Sequence, residues 1–495
     1  MDRQIRRLGV GLLVLFGVLF AQINYIQVVA ADRIANNPAN AYRQLKAEYQ
    51  VDRGSILAAD GRTVLALSRR SSGDLKYERR YPEGERYGHI TGFYSFVYGK
   101  RELESTFNEY LNGDAAELLP QTLTDMVLGR DKRGATIVTT IEPDLQAAAE
   151  QALGSQPGGV VAIDPKTGDV LALVANPTYD PNSLSAQDGK EVRDAWAGLN
   201  DDPDQPLLSR ASDELFPPGS TFKLVTASAA LENGYGPEST WPNPSELDLP
   251  LTDLTLSNFG GEHCAGGAAQ ITLAEALTES CNVTFGEIGL ELGPDRLAEQ
   301  ARLYGFTPEA GDDSIPFDIP WVPGVFPDAA TFEGRDPAVA LSAIGQQDVL
   351  ANPLQMALVA GAIGNGGALM RPRLVSEIRD PSGQVIETFD PEEWSQPLSS
   401  ANAASLTQMM VSVVSSGTGT SAQIPGVEVA GKTGTAQHGE GEAPHVWFTS
   451  FAPAQDPQVA VAVVVLDGGT LGSTEATGGA VAAPIARDVL EAALG

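Results

Sequence analysis

The feature that most constrains this chain is an uncharged stretch near its N-terminus. No charged residue occurs at positions 8–31, and three arginines lie among the seven residues before it. About 20 apolar residues rising 1.5 Å each cross the ~30 Å hydrocarbon layer of a bilayer. Residues 1–31 are therefore predicted to form a cytoplasmic tip and one membrane anchor, with the rest of the chain outside the cell membrane. The alternative is a signal peptide cleaved at Val29-Ala30-Ala31.

The composition excludes one broad class of partners. Among 495 residues, 32 lysines and arginines face 64 aspartates and glutamates, a formal net charge of −32. Such an acidic surface repels phosphates, so we expect no nucleic-acid binding. The two cysteines and four histidines show no metal-ligand spacing, so no metal is expected. Cys264 and Cys281 are candidates for a disulfide if the chain is exported, the alternative being two small buried thiols.

Turn signals and helix propensity divide the exported part into two domains. Residues 32–154 are polar and mixed, and their last part, 145–153, predicts an alanine-rich helix. The Gln-Pro-Gly-Gly break that follows indicates a domain boundary near residue 155. Residues 155–495 combine predicted helices with strand runs typical of an antiparallel sheet. We therefore predict an α+β fold, with an N-terminal pedestal domain at 32–154 and a sheet packed with helices at 155–495.

The segment FPPGSTFKLVTASAALE contains the first candidate site. Ser220 and Lys223 stand three residues apart, so a helix places both side chains on one face. A serine hydroxyl is a weak nucleophile that needs a base, and a lysine amine serves when burial or a neighbouring charge lowers its pKa. The N–H groups at the start of a helix suit an oxyanion. Taken alone, this pattern is more often a solvated serine and lysine on an ordinary helix.

Two later motifs carry matching chemistry. Ser280 and Asn282 follow a predicted helix, where a hydroxyl can relay a proton and an amide can hold a carbonyl or a lysine. The GKTGT motif at 431–435 is typical of an edge strand, in which alternate residues share a face. Its lysine and first threonine suit a carboxylate, its second glycine permits close backbone approach, and its last N–H suits an oxyanion. These residues are Lys432, Thr433, Gly434 and Thr435.

In this order, Ser-x-x-Lys, Ser-x-Asn and Lys-Thr-Gly form the signature of penicilloyl serine transferases. The chain resembles the class B penicillin-binding proteins over nearly its whole length. The similar blocks are GVVAIDPKTGDVLALVANPTYDPN (159–182), PLLSRA (206–211), PGSTFK (218–223), GQQDVLANPLQMALVAGAIGNGG (345–367), GKTGTAQ (431–437) and HVWFTSFAP (445–453). RGSILAADG (53–61) and RELESTFNEYL (101–111) are similar to the family's juxtamembrane segment and the segment after it. Ala58 and Ala59 replace the usual aspartate and arginine there, which puts local salt bridges in doubt.

The resemblance implies a D,D-transpeptidase that cross-links peptidoglycan stem peptides ending in D-Ala-D-Ala and that β-lactams acylate. It assigns the nucleophile to Ser220, the base to Lys223 and the proton relay to Ser280. The same resemblance implies that Asn282 holds the donor peptide. It implies no cofactor.

The third motif completes the site that the resemblance implies. Lys432 and Thr433 would bind the terminal carboxylate of the donor, with Gly434 beside them. The backbone N–H groups of Ser220 and Thr435 would form the oxyanion hole. We expect neither a glycosyltransferase domain nor PASTA domains, and Cys264 lies upstream of the Ser-Cys-Asn motif. In these features the chain resembles an actinobacterial subtype of the family.

The family also implies a partner, because a chain without a glycosyltransferase domain needs glycan strands made by another enzyme. That partner is expected to be a SEDS glycosyltransferase, met through the anchor and pedestal. Three other functions remain open at this stage: a D,D-carboxypeptidase, a serine β-lactamase, and a β-lactam sensor or non-catalytic division scaffold. The sequence does not choose between elongation and septation.

Overall fold

The computed structural model describes residues 2–26, 48–72, 75–250, 252–261, 263–308, 315–439, 441–472 and 475–495. Its first element is the helix Asp2–Asn24. The part Arg6–Asn24 is long and apolar enough to cross a membrane, with a mean hydropathy of 1.7, and none of it is buried in the described protein. The predicted apolar segment is thus helical to residue 24. Residues 27–31, with the alternative cleavage site, lie outside the described residues.

Five antiparallel strands form the central sheet of the larger domain. In spatial order they are Ala430–Ala436, His445–Ala452, Val459–Val465, Gly158–Ile163 and Val170–Asn176. The antiparallel sheet predicted from the strand runs of residues 155–495 is confirmed. The first of these strands, called the Lys432 strand below, lies at the edge of the sheet, so one row of its backbone groups is left free of strand pairing.

Both faces of this sheet are buried under helices, which explains why its middle strand, Val459–Val465, is a continuous apolar run. Along Val459–Val465, odd-numbered residues pack into one core with helices Pro143–Leu153 and Ala482–Leu494. Even-numbered residues pack into the other core with helix Pro353–Gly364. Helix Lys223–Glu232 lies deeper in that second core, and nine consecutive residues from Lys223 to Leu231 are buried.

Shorter elements complete the described chain. The remaining α-helices are Gly88–Thr91, Glu102–Thr106, Asn108–Leu111, Leu119–Val127, Asn182–Ser185, Gly189–Asp201, Leu273–Glu279, Asn282–Leu303 with a break at Gly293, Asp336–Ser342 and Ser400–Ser415. Two-stranded pairs join Tyr94–Ser95 to Gly99–Lys100, Thr240–Pro242 to Gln270–Thr272, Glu246–Asp248 to Thr255–Ser257, and Leu369–Met370 to Glu393–Ser395.

A second sheet lies in the N-terminal part of the protein. Its six strands are, in spatial order, Val385–Thr388, Val375–Arg379, Thr136–Thr139, Ile56–Leu57, Val64–Arg70 and Tyr77–Arg80. Two of these strands come from beyond residue 370, and helix Pro143–Leu153 packs on the five-stranded sheet instead. The chain therefore passes three times between the two sheets, and the boundary near residue 155 stays a prediction about sequence organisation.

A buried ion cluster supports the N-terminal sheet. The Glu104 carboxylate accepts hydrogen bonds from Arg53 Nε at 2.7 Å and Arg79 Nε at 2.5 Å, and all three side chains are almost fully buried. Burial opposes ionisation, but the two guanidinium groups hold the pKa of Glu104 below its ordinary value. Ala58 is fully buried in the core and makes no ion pair.

Candidate active site

The loop before Ser220 is held by contacts with three distant segments. The backbone groups of Phe216 and Ala351 exchange two hydrogen bonds of 2.8 Å, and the Trp447 indole donates to the Pro217 carbonyl at 3.0 Å. Gly219 has φ of 53°, and a Cβ there would lie 2.8 Å from the carbonyl oxygen of Thr435. Glycine is required because the turn Gly219–Phe222 presses against the Lys432 strand.

Ser220 lies in this one-turn 3₁₀ segment, and Lys223 begins the α-helix that follows. The predicted helical spacing of the two residues is therefore confirmed. The Lys223 side chain is fully buried, with its Nζ 2.6 Å from the Ser280 carbonyl oxygen and 2.8 Å from Asn282 Oδ1. Asn282 thus holds the lysine, and its own Nδ2 donates to the Ser257 carbonyl at 3.2 Å.

Ser280 occupies a left-handed backbone conformation, with φ of 64° and ψ of 41°, at the end of helix Leu273–Glu279. Non-glycine residues adopt this conformation at a cost of about 1 kcal/mol, and they are enriched at functional sites. The turn aims the Ser280 hydroxyl between two lysines. Its Oγ lies 2.8 Å from Lys432 Nζ and 3.4 Å from Lys223 Nζ.

Two buried lysines around one serine give the site unusual electrostatics. Burial, and then the charge of Lys432, hold the pKa of Lys223 well below its ordinary value. Burial alone lowers the pKa of Lys432 to about 7. Neither amine has a carboxylate among the groups that hydrogen-bond to it in the described chain. Both amines are therefore shifted toward their neutral forms relative to an exposed lysine.

An open cavity of about 380 Å³ lies in front of these groups. Residues from all three motifs line it: Ser220, Ser280, Asn282, Thr433 and Thr435. None of the described residues forms a hydrogen bond with the Ser220 hydroxyl. Lys432 lies behind the cavity wall, with its Nζ donating to Ser280 Oγ and to the Thr433 carbonyl, so its contact with a substrate carboxylate stays a prediction.

Sequence reasoning missed several groups that line the cavity. Thr418 shares a 2.6 Å hydrogen bond between hydroxyls with Thr433, and Thr477 lies in the same wall. Gly478 packs so closely that a Cβ there would meet the Gly434 carbonyl oxygen at 2.5 Å. The signals were the short threonine–glycine runs 417–420 and 477–479, which are also typical of ordinary turns.

The two cysteines form a disulfide beside the site. Cys281 lies between Ser280 and Asn282, and Cys264 comes from the loop that borders the cavity. Both are buried. The bridge therefore ties the Ser280–Asn282 turn to the Cys264 loop that borders the same cavity.

A mixed α+β fold that brings Ser-x-x-Lys, Ser-x-Asn and Lys-Thr-Gly together in one cavity defines a penicillin-binding serine acyl transferase. Residues 158–491 match the family described as "Penicillin binding protein transpeptidase domain", and residues 53–137 match "Penicillin binding protein A dimerisation domain". The chain belongs to the class B penicillin-binding proteins, in the group that contains the PbpA transpeptidases. The resemblance stated from the motifs is therefore confirmed.

Individual relatives agree with this assignment. The chain is 42% identical to the peptidoglycan D,D-transpeptidase PbpA of Mycolicibacterium smegmatis, covering 100% of this chain and 99% of that protein. It is 39% identical to the protein of the same name from Mycobacterium tuberculosis, with the same coverage. A solved structure of the M. tuberculosis penicillin-binding protein A as a ceftriaxone acyl-enzyme superposes with a TM-score of 0.83, covering 91% of this chain and 100% of that one.

Proposed function

We propose that this chain is a peptidoglycan D,D-transpeptidase in which Ser220 forms the acyl-enzyme. The Ser220 Oγ attacks the carbonyl carbon of the penultimate D-Ala of a donor stem peptide, and its proton passes to the Lys223 amine. The C–N bond to the terminal D-Ala then breaks, leaving an ester on Ser220. An amine from a second stem peptide attacks this ester, forms the cross-link and releases Ser220.

The electrostatics of Lys223 support its role as the base. A lysine at its ordinary pKa is protonated at neutral pH and cannot accept a proton, whereas burial and the Lys432 charge favour the neutral amine. Asn282 and the Ser280 carbonyl hold this amine in place by hydrogen bonds of 2.8 and 2.6 Å. The proposed base is therefore held in place, and burial and the Lys432 charge shift it toward the neutral form that can accept a proton.

Ser280 is positioned to carry the proton onward. Its hydroxyl lies within 3.4 Å of Lys223 Nζ and 2.8 Å of Lys432 Nζ, so a proton taken from Ser220 can reach the leaving D-Ala nitrogen through it. The N–H groups of Ser220 and Thr435 are proposed to bind the oxyanion, since the turn and the edge strand meet at Gly219. Thr433 on the cavity wall is proposed to bind the donor carboxylate with Lys432.

The observation that carries this proposal is the bridging of Ser280 Oγ by two buried lysines behind the cavity that holds Ser220. The test incubates the full-length protein in detergent with a labelled penicillin, beside Ser220→Ala. A long-lived adduct on the wild type alone is expected. Rapid release of the label would indicate a β-lactamase, and an adduct on Ser220→Ala would exclude the assigned nucleophile. Supplying an amine acceptor separates a transpeptidase from a carboxypeptidase by its cross-linked product.

We further propose that the helix Arg6–Asn24 anchors the protein in the cell membrane with its N-terminus in the cytoplasm. Its apolar side chains have no partner in the described chain, as with Leu13 and Phe20, each about 70% exposed. A SEDS glycosyltransferase is the proposed partner at this helix and the N-terminal domain. Co-purification from membranes tests the partnership, with a chain carrying an unrelated anchor helix as control. Recovery of no such enzyme with the native helix would contradict it.

A further inference from the structure

The helix Leu119–Val127 of the N-terminal domain presents its apolar side chains to solvent. Leu119, Leu123, Met126 and Val127 recur at the spacing of one helix face, and each is between 54% and 87% exposed. We call these four residues the apolar stripe. Outside the helix Asp2–Asn24, no other described element exposes so many large apolar side chains.

The opposite side of this helix is polar and packs against the domain. Its buried residue is Asp125, whose carboxylate lies 3.3 Å from Arg133 Nη2 and 3.8 Å from Arg130 Nη1. Gln121 and Thr122, on the same side, are half-buried. A helix on the surface of a water-soluble domain buries its apolar face and exposes its polar face. This helix does the reverse, which is typical of a surface that contacts a membrane or another protein.

The helix lies beside the point where the chain enters the N-terminal domain. The Asp52 N–H donates to the Lys132 carbonyl at 3.0 Å, and the Gly134 N–H donates to the Asp52 carbonyl at 2.9 Å. Only residues 25–51 separate this point from Asn24, the end of the proposed anchor helix. The segment that follows the apolar stripe is therefore fixed to the part of the domain that the chain reaches first from the membrane.

The charges at the C-terminal end of the helix differ from those of the chain as a whole. Five cationic side chains lie there among four carboxylates, although the chain has twice as many acidic as basic residues. The cations are Arg70, Lys76, Arg130, Lys132 and Arg133, and the carboxylates are Asp52, Asp114, Asp125 and Asp131. Because Asp125 is buried, the charge exposed at this end is positive, which favours contact with anionic lipid headgroups.

We propose that the apolar stripe lies in the surface of the membrane that holds the anchor, at the boundary between lipid headgroups and acyl chains. A helix with basic residues beside an apolar face binds such a surface, and its apolar face enters by about 5–10 Å. This inference rests on the proposed anchor, which brings the domain to the bilayer. A second attachment beside the anchor fixes the orientation of the N-terminal domain relative to the membrane.

The test measures the depth of the apolar stripe in vesicles that hold the full-length protein. Val127→Cys is labelled with a polarity-sensitive fluorophore, and the two native cysteines do not react because they form a disulfide. The vesicles contain phosphatidylcholine and phosphatidylglycerol, with or without nitroxide quenchers on the acyl chains. The label at position 127 should shift to the blue and lose most of its emission to the quencher, with a smaller loss in phosphatidylcholine alone.

Three variants serve as controls. Thr124→Cys lies on the same helix, exposed but away from the apolar stripe, and its label should keep most of its emission. Leu13→Cys, in the anchor helix, should be quenched wherever the stripe lies, so failure of the proposed anchor is distinguishable from failure of this proposal. Adding Leu123→Asp should restore the emission at position 127, with circular dichroism to confirm folding. Acylation by penicillin should be unchanged in all variants, because the stripe lies outside the cavity.

The competing occupant of the apolar stripe is a second copy of the chain. A label at position 127 that is shielded from water, escapes the acyl-chain quencher and responds to the number of copies per vesicle would indicate this occupant and overturn the proposal. Emission that is neither shifted nor quenched in any vesicle also overturns it. Equal quenching at positions 124 and 127 does the same, because it shows no preferred face of the helix toward the lipid.

Discussion

Replacing Lys432 with methionine tests whether the charge of Lys432 lowers the pKa of Lys223. Methionine keeps most of the side-chain volume but removes the amine. The structure places Lys432 and Lys223 around Ser280 Oγ at 2.8 and 3.4 Å, so their nitrogens are no more than about 6 Å apart. The charge of Lys432 lowers the pKa of Lys223. Removing that charge should therefore raise the pKa of Lys223.

The size of this rise follows from Coulomb's law. Two unit charges ~6 Å apart repel by roughly 2.8 kcal/mol at an effective dielectric constant of ~20, and by roughly 0.7 kcal/mol in water. These energies correspond to a pKa change of about 0.5 to about 2. Acylation needs neutral Lys223, so the rate falls as pH drops through the pKa of this residue. The acid limb of Lys432→Met should therefore lie about 0.5 to 2 pH units above that of the wild type. Lys432 has a pKa of about 7, so its charge acts mainly below neutral pH.

The assay measures the rate of acylation by a fluorescent penicillin from about pH 5.5 to 9. It compares the midpoint of the acid limb between the variant and the wild type, after each profile is normalised to its own maximal rate. Thr433→Val is the matched control, because it removes a hydroxyl from the same wall and leaves both amines in place. It should reduce the rate and leave the midpoint unchanged. A midpoint in Lys432→Met that equals the wild-type value, or lies below it, would refute the electrostatic coupling.

Three further substitutions test the fold around the site. Glu104→Gln should destabilise the protein by about 3–5 kcal/mol, because two buried guanidiniums lose their counter-charge, and thermal unfolding with limited proteolysis measures this. Gly434→Ala should slow acylation by about 100-fold, because the added Cβ would lie 2.8 Å from the Pro218 carbonyl oxygen. The control is Gly198→Ala, at a helix position with open space around it, which should leave the acylation rate unchanged. Replacing Cys264 and Cys281 with alanine opens a 17-residue loop and should lower the free energy of unfolding by about 3 kcal/mol. The expected results are a lower Tm and slower acylation, and an unchanged Tm would contradict the prediction.

Much of the active site was accessible from sequence because its signals are local. The spacing of Ser220 and Lys223 predicts one helical face, and the structure places them in consecutive helical turns. The strand at 431–435 follows from its pattern, and the two strands beyond it follow from the apolar runs at 445–452 and 459–465. Local sequence does not show which partner each side chain takes. The amide of Asn282 could hold either a carbonyl or a lysine by sequence; the structure shows its contact with Lys223, and its contact with the donor peptide stays a prediction.

The division into domains shows the limit of this reasoning. Composition and a Pro-Gly-Gly break suggest a boundary at 155, yet the N-terminal sheet takes two strands from residues 375–388. Strand pairing joins whichever edges the packed chain brings together, whatever their distance in sequence. The cluster of Arg53, Arg79 and Glu104 was likewise not visible in the sequence. Its members are ordinary charged residues, and only their burial in the folded protein makes their pairing necessary for stability.

The sequence by itself determined the apolar N-terminal helix, the α+β class and the three motifs, because periodicity, propensity and short spacings act within a few residues. Only the tertiary structure decided the lowered pKa values of Lys223 and Lys432, since these depend on how much protein surrounds each amine. It also decided the stacking of His438 on His445 and their contact with Asp467, which comes from a different strand end. The type of a side chain determines its chemical groups, but the packing of the whole chain determines its solvation and its neighbours.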